Sequence, residues 1–254
     1  MTNREKYHFD DFTLENYRRL IKLALSKGFH FISYTEGFVE ERKDILWRHD
    51  VEFEPDIALK MAQIENEEGV RATYFFQLHC GLYNLFDRHY TEVFHKIKDL
   101  GHNIGLHFDC RYWGINDEKQ LNDYIRFDAD YLEKALGVKL EVFSFHNTTP
   151  FTQSCLEFRY GGLINVYSSH FKKNFNYCGD SLGYWRFDRL EDVLNDDKVQ
   201  HLQVLTHDAN WSEEVLSPRK RFMKAIHDNA ERKINSQING MHAKGNLVPD
   251  DDED

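Results

Sequence analysis

The chain has 254 residues, of which 41% are hydrophobic and 15% aromatic, so disorder, collagen and low complexity are excluded. Its net charge is −11, and the last five residues, Asp250, Asp251, Asp252, Glu253 and Asp254, are all acidic. A nucleic-acid ligand calls for a basic face, so that class of partner is excluded too.

Thr13 is placed to cap a helix in which Leu14, Tyr17, Leu20, Ile21 and Leu25 recur at helical spacing, ended by Gly28. Ile45–Val51 is expected to be a strand, and Pro55 opens a helix through about Glu68, stopped by Gly69. Ala72–Leu78 is β-rich, His89–Leu100 helical, His102–Phe108 a strand, Glu118–Leu136 a helix and Glu141–His146 a strand. Beyond Pro150 the pattern predicts a short helix near Cys155, a strand at Leu163–Ser168 and short strands around Tyr177 and Trp185. Gln200–Thr206 is a clear strand. Ser217-Pro218 starts a final helix, with Phe222, Ile226, Ala230, Ile234 and Ile238 as its apolar stripe. Strands alternating with helices imply a mostly parallel sheet. One domain over residues 7–240 is expected, followed by an acidic, disordered tail over 241–254.

No run reaches the roughly 20 apolar residues of a membrane span. Met1–Lys6 leads into no apolar segment, so no secretory signal is expected. Cys80, Cys110, Cys155 and Cys178 lack CxxC spacing and are expected as free thiols, which fits a cytoplasmic location.

Four predicted strands end in ionisable residues: Arg48-His49-Asp50-Val51-Glu52, then His107 followed by Asp109 and Arg111, then His146, then His207-Asp208. In a parallel barrel the carboxyl ends of the strands gather at one face, so these groups are expected to be neighbours. Alternation sets Arg48, Asp50 and Glu52 on one face and His49 and Val51 on the other. One of the two carboxylates with His107 suits a divalent cation, and the other suits a general base on a bound water. His207 suits a proton donor to a leaving group. Most other histidines are expected to be surface or structural residues, while His49 and His102 fit either role. Trp113, Trp185 and Trp211 fit core packing or a sugar-stacking wall.

These segments, with Ala72–Phe76, Gly101–His107, Phe143–His146 and Leu205–His207, resemble in order and spacing the motifs of the NodB-like polysaccharide deacetylases, carbohydrate esterase family 4. The branch most similar is the one found in surface-polysaccharide gene clusters, which the Asp180-Ser181 and Trp185-Arg186 segment also resembles. The resemblance implies a single-domain distorted (β/α) barrel of about seven parallel strands. It implies a metal-dependent carbohydrate deacetylase acting on an N- or O-acetylated sugar, in lipopolysaccharide or capsule biosynthesis. By position it makes Asp50 the catalytic base, His207 the general acid, and Glu52 and His107 ligands of a divalent metal, zinc foremost. The family's second metal histidine falls at Arg111, which leaves Asp109, His146 or Asp50 to complete the site. Arg48, Asp109, Arg111, His146, Asp180, Trp185 and Arg186 are the further positions, for substrate binding or with a role left open. Arg111 also leaves open a metal-free hydrolase of a small amide, or an inactive carbohydrate-binding scaffold of the same fold.

Overall fold

The computed structural model describes residues 1–246. Its strands are β1 (His30–Phe31), β2 (Asp44–Val51), β3 (Thr73–Phe76), β4 (Asn103–Phe108), β5 (Val142–Phe145), β6 (Arg159–Tyr160), β7 (Leu163–Asn165), β8 (Asn176–Gly179) and β9 (His201–His207). The helices are α1 (Asn3–Lys6), α2 (Leu14–Ser26), α3 (Pro55–Glu67), α4 (Arg88–Asp99), α5 (Cys110–Trp113), α6 (Glu118–Leu136), α7 (Pro150–Ser154), α8 (Ser169–Asn174), α9 (Leu190–Asn195) and α10 (Pro218–His242). Most of the expected elements form within a residue or two of their predicted bounds. The end of the expected acidic tail, 247–254, lies outside the described residues.

One curled sheet runs in the order β6-β7-β5-β4-β3-β2-β9-β8, with β1 also on β2. Its seven strands from β7 to β8 are parallel, and β6 folds back antiparallel on β7. The sheet is therefore a distorted (β/α) barrel, left open between the β6–β7 hairpin and β8. Every residue of β2 is buried because helices cover one face and the barrel interior covers the other. Gly105 has no side chain for a reason of space. A Cβ there would lie 2.4 Å from Cε1 of Phe75, whose ring fills the barrel centre.

The helices begin where local chemistry dictates. Thr13 Oγ1 accepts from Asn16 N, Asp117 caps α6 through Gln120 N, and Pro55 and Pro218 stand in the first turns of α3 and α10. No helix among the described residues is long and apolar enough to cross a membrane.

Three local expectations are corrected. No strand forms at Trp185; this segment is held instead by its indole, which donates to Asp11 Oδ2 at 3.0 Å. The strand expected over Leu163–Ser168 ends at Asn165, and Gly161 and Gly162, both at positive φ, turn the chain into the β6–β7 hairpin. The α10 stripe is rotated: the helix buries Arg221, Ala225 and Asn229, while Ile226 and Ile234 are 49% and 58% exposed. The polar face wins because Arg221 donates to the carbonyls of Asn210 and Gly183 and lies 4.5 Å over the Phe12 ring, anchoring the helix to the strand-end loops.

Candidate active site

At the carboxyl end of the barrel a cleft of about 1020 Å³ is lined by Asp50, Glu52, Asp109, Arg111, His146 and His207, among others. The strand ends deliver these side chains together, as their parallel register requires. Asp50 pairs in register with His207 across β2 and β9, and His107 with Ser144 across β4 and β5.

Glu52 follows the last residue of β2. Its backbone N–H donates to Asp208 Oδ1 at 3.0 Å, and the Asp208 carboxylate also accepts from Phe53 N and Glu54 N. This fully buried carboxylate ties the turn after β2 to the end of β9. Cys80 Sγ adds a bond to the Glu52 carbonyl at 3.3 Å. Glu52 Oε1 thereby comes within 2.8 Å of His107 Nε2 and 2.7 Å of His146 Nδ1, and the two ring nitrogens are 3.2 Å apart. Among the described residues this is the one cluster with metal-ligand geometry. His146 sits just past β5, its N–H bonded to the Phe108 carbonyl at 2.8 Å. Asn147 follows at a φ of 46°, and its Nδ2 lies 2.6 Å from His146 Nε2. The positive φ favours asparagine among non-glycine residues.

The hydrogen-bond inventory tests whether this cluster fits a cation. Ser144 Oγ lies 3.2 Å from Asp50 Oδ1 and 2.6 Å from His107 Nδ1. An ionised Asp50 can only accept, so the single hydroxyl proton goes to Asp50. The hydroxyl oxygen then accepts from His107 Nδ1–H. His107 Nε2 is left with a lone pair aimed at Glu52 Oε1, another acceptor. Two acceptors facing each other at hydrogen-bonding distance need a positive charge between them, a metal ion or a second proton. Two imidazoles and a carboxylate are a catalytic zinc donor set that leaves one position open. At metal–ligand distances of about 2.0–2.1 Å the donors sit roughly 3.3 Å apart, so a spread of a few tenths suffices. The residues fit a divalent cation.

Two charged groups flank this centre. Asp50 is 1% exposed and bonded to Ser144. His207 donates Nδ1–H to Asp180 Oδ1 at 2.6 Å, and its backbone N–H donates to Asp180 Oδ2 at 3.1 Å. The Trp211 indole donates to the same Oδ2 at 3.1 Å. Burial works against a charged His207, but the Asp180 carboxylate outweighs it and pushes the imidazole up to about 10. For Glu52 burial again opposes the charge, and the surrounding imidazoles of His107, His146 and His207 outweigh it, holding the carboxyl well below its usual range. The His146 imidazole is raised, because Glu52 more than offsets its burial.

Asp50, Glu52, His107, His146 and His207 therefore meet at one place, and His146, not Arg111, is the third residue of the group that could hold a metal. Arg111 lies on the exposed α5 at the cleft wall, outside the cluster. Asp109 also lines the cleft, where its Oδ1 caps α5 through Arg111 N at 2.9 Å. Arg186 reaches the cleft rim, its guanidinium 5.2 Å over the Phe187 ring. Three of the positions left between substrate binding and another role do not line the cleft. Arg48 is fully buried behind Tyr167, to whose hydroxyl Nη2 donates at 2.9 Å. Asp180 is fully buried and holds His207. Trp185 packs against Phe12 and Trp211, with ring centres 5.1 and 6.1 Å away, so it is core and not a stacking wall. Sequence reasoning missed Ser144 and the positioning role of Asp208. Ser144 was legible in principle, as the strand position two before His146 that shares its face.

No family model matches the chain, and no curated protein does. Solved structures similar to it include a family 4 carbohydrate esterase from Bacillus anthracis, at 17% identity and a TM-score of 0.46 over 84% of this chain and 86% of that one. A family 4 carbohydrate esterase from Streptomyces lividans in complex with acetate follows, at 15% identity and a TM-score of 0.43 over 74% and 88%. A CE4 family pseudoenzyme from Bacillus anthracis is similar at 14% identity and a TM-score of 0.40 over 76% and 63%. These structures are of the family that the strand-end motifs resemble.

Proposed function

We propose that this chain is a metal-dependent carbohydrate deacylase that removes an acyl group, acetyl in the simplest case, from the nitrogen or oxygen of a sugar. The observation that carries the reading is the pair of facing acceptors, His107 Nε2 and Glu52 Oε1 at 2.8 Å, with His146 beside them. Such a centre makes sense when a cation joins them. When bound, a divalent ion such as zinc supplies Lewis acidity toward the acyl carbonyl and toward an attacking water.

The chain's own residues do the proton work. Asp50 takes a proton from the attacking water, whose oxygen bonds to the acyl carbon. The bond from that carbon to the sugar nitrogen or oxygen breaks with its electron pair. That atom takes a proton from His207 Nε2, leaving a carboxylic acid and the free sugar amine or hydroxyl. Asp50 must be ionised and His207 protonated at once, and Asp180 serves the second condition. Ser144 couples the base to the ligand, since one hydroxyl bridges Asp50 and His107. Arg111, Asp109 and Arg186 at the cleft wall are positioned to meet the sugar or an anionic group attached to it. The motif resemblance points to a sugar precursor of a surface polysaccharide as the substrate.

The test is elemental mass spectrometry of protein purified without chelators or an affinity-tag metal, alongside hydrolysis of acetylated sugars. The expected result is close to one divalent metal per chain, lost in His107→Ala. In Asp50→Asn the metal is retained and turnover falls about a thousandfold. A chain that takes up no zinc, or an Asp50→Asn variant with full activity, overturns the reading. Hydrolysis that survives exhaustive chelation selects the metal-free hydrolase instead.

A further inference from the structure

The cleft does not stop at the strand ends. It runs down the unclosed side of the barrel, between the β6–β7 hairpin and β8, where no strand pairing joins the two ends of the sheet among the described residues. The connection from β7 to β8 forms the wall there, through Val166, Tyr167, Phe171 and Phe175. On the opposite side β9 presents His207, Leu205 and Gln203 along one face, at about 6.6 Å per step, so Gln203 lies roughly 13 Å below His207. Apart from Asp50 at the top and Lys172, whose Nζ turns to the Gln153 carbonyl at 3.4 Å, the groups facing this channel are aromatic, aliphatic or neutral. The guanidinium of Arg48 is shut behind the Tyr167 ring, 4.7 Å from its centre. Gln203 is 6% exposed, and its Oε1 has no hydrogen-bond partner.

A carbonyl carbon at the metal cluster carries two further substituents. The leaving nitrogen or oxygen belongs to the sugar and must face the open mouth, where a sugar ring has room. The acyl tail then points the other way, into the barrel. An acetyl methyl fills only the top of the channel and leaves its apolar walls uncovered.

We propose that the acyl group this site removes is longer than acetyl: an uncharged chain of roughly six to eight carbons that runs down the seam beside β9 toward Gln203. The inference rests on the deacylase reading and names its substrate class. Gln203 Oε1 at the end of the channel accepts a hydrogen bond from a hydroxyl on the distal part of such a chain. Each added methylene leaves water for an apolar wall, worth roughly fourfold in kcat/KM until the channel is full.

The experiment uses the metal-loaded chain and a series of 4-nitrophenyl esters from acetyl to decanoyl. In parallel, calorimetry measures direct binding of acetate and octanoate, which needs no turnover. The expected result is a kcat/KM that climbs by roughly fourfold per methylene and levels off near octanoyl. Octanoate is expected to bind at least about tenfold tighter than acetate. Gln203→Phe fills the lower end of the channel and moves the optimum to a shorter chain. The wild-type series decides the question even if that variant does not fold. Acetyl hydrolysis with a flat or falling length series overturns the long-acyl proposal and leaves the deacylase reading standing. Tight octanoate binding without turnover of any ester supports the channel and removes the deacylase reading. Equal binding of acetate and octanoate overturns the channel whatever the turnover.

Discussion

Two clusters of one glutamate and two histidines lie on opposite faces of the same sheet, and they behave differently. The inner one is Glu52, His107 and His146. The outer one is Glu65 on α3, with His49 of β2 and His102 beside β4. In the outer cluster His49 Nε2 donates to Glu65 Oε1 at 2.6 Å, and the Tyr17 hydroxyl donates to the same oxygen. The Tyr74 hydroxyl donates to Glu65 Oε2 at 2.6 Å. His102 accepts from Ala72 N at Nδ1 and donates Nε2–H to the Ala62 carbonyl at 3.0 Å. Thr206 Oγ1 meets His49 Nδ1 at 2.6 Å. Each polar atom has a complementary partner and the strand-end cleft does not reach the group, of which only His102 borders a separate, smaller pocket, so it is a structural core network. The inner cluster sets one acceptor, His107 Nε2, against another, Glu52 Oε1, and opens to the cleft. Residue type does not separate a metal site from a buried network; the hydrogen-bond count does.

Breaking the outer cluster should unfold the protein without touching the metal. Glu65→Gln, or better Glu65→Ala, is expected to cost about 3–5 kcal/mol in a urea titration, because it strands buried partners. The metal stoichiometry of the surviving folded fraction should stay at the wild-type value. A drop in metal content at unchanged stability would reverse the two assignments.

A smaller and opposite effect is expected inside. Ser144→Ala removes the hydroxyl that fixes the His107 tautomer. Metal affinity, measured by competition with a chelator, should weaken about 10–100-fold while the melting temperature moves little. An unchanged affinity would detach Ser144 from the centre.

Next comes pH. His207 sits at about 10 in the folded chain against an ordinary 6.5. Its bond to Asp180 therefore contributes stability that is complete below about 6.5 and is lost as pH rises through about 10. The protonated acid is lost over the same upper range, so kcat/KM should fall above pH 10. In Asp180→Asn that alkaline limb should move down toward neutrality. An alkaline limb that stays in place would exclude His207 as the acid.

The smallest effect concerns Glu54, at the start of α3. It is 5% exposed, and neither carboxylate oxygen has a partner. Burial, then Asp56, push its carboxyl up from 4.5 to about 8. The folded state holds the extra proton, so stability should fall as pH rises from about 4.5 to about 8. Glu54→Gln should remove that slope, melting a few degrees higher than wild type at pH 9 and no higher at pH 4. Equal melting curves at pH 9 would place Glu54 in water.

Much of this was legible in the sequence. Alternation along β2 separates His49 from Arg48 and Asp50, and the strand-end positions of Glu52, His107, His146 and His207 place them at one mouth once the sheet is parallel. The helix starts follow from Thr13, Asp117, Pro55 and Pro218, and the Gly161-Gly162 pair carried an unheeded hairpin signal. These features are local, set by side-chain period and by backbone φ within a few residues. Four things were not local. The choice of His146 over Asp109 depends on Asn147 and on where β5 ends relative to β2. The burial of Arg48 depends on Tyr167, 119 residues away. The rotation of α10 depends on carbonyls of distant loops that needed Arg221. The opening on that side of the barrel exists because the β6–β7 hairpin and β8 do not pair among the described residues. Each is a contact between segments far apart in the chain, and periodicity along one segment holds no information about which partner arrives on its other side.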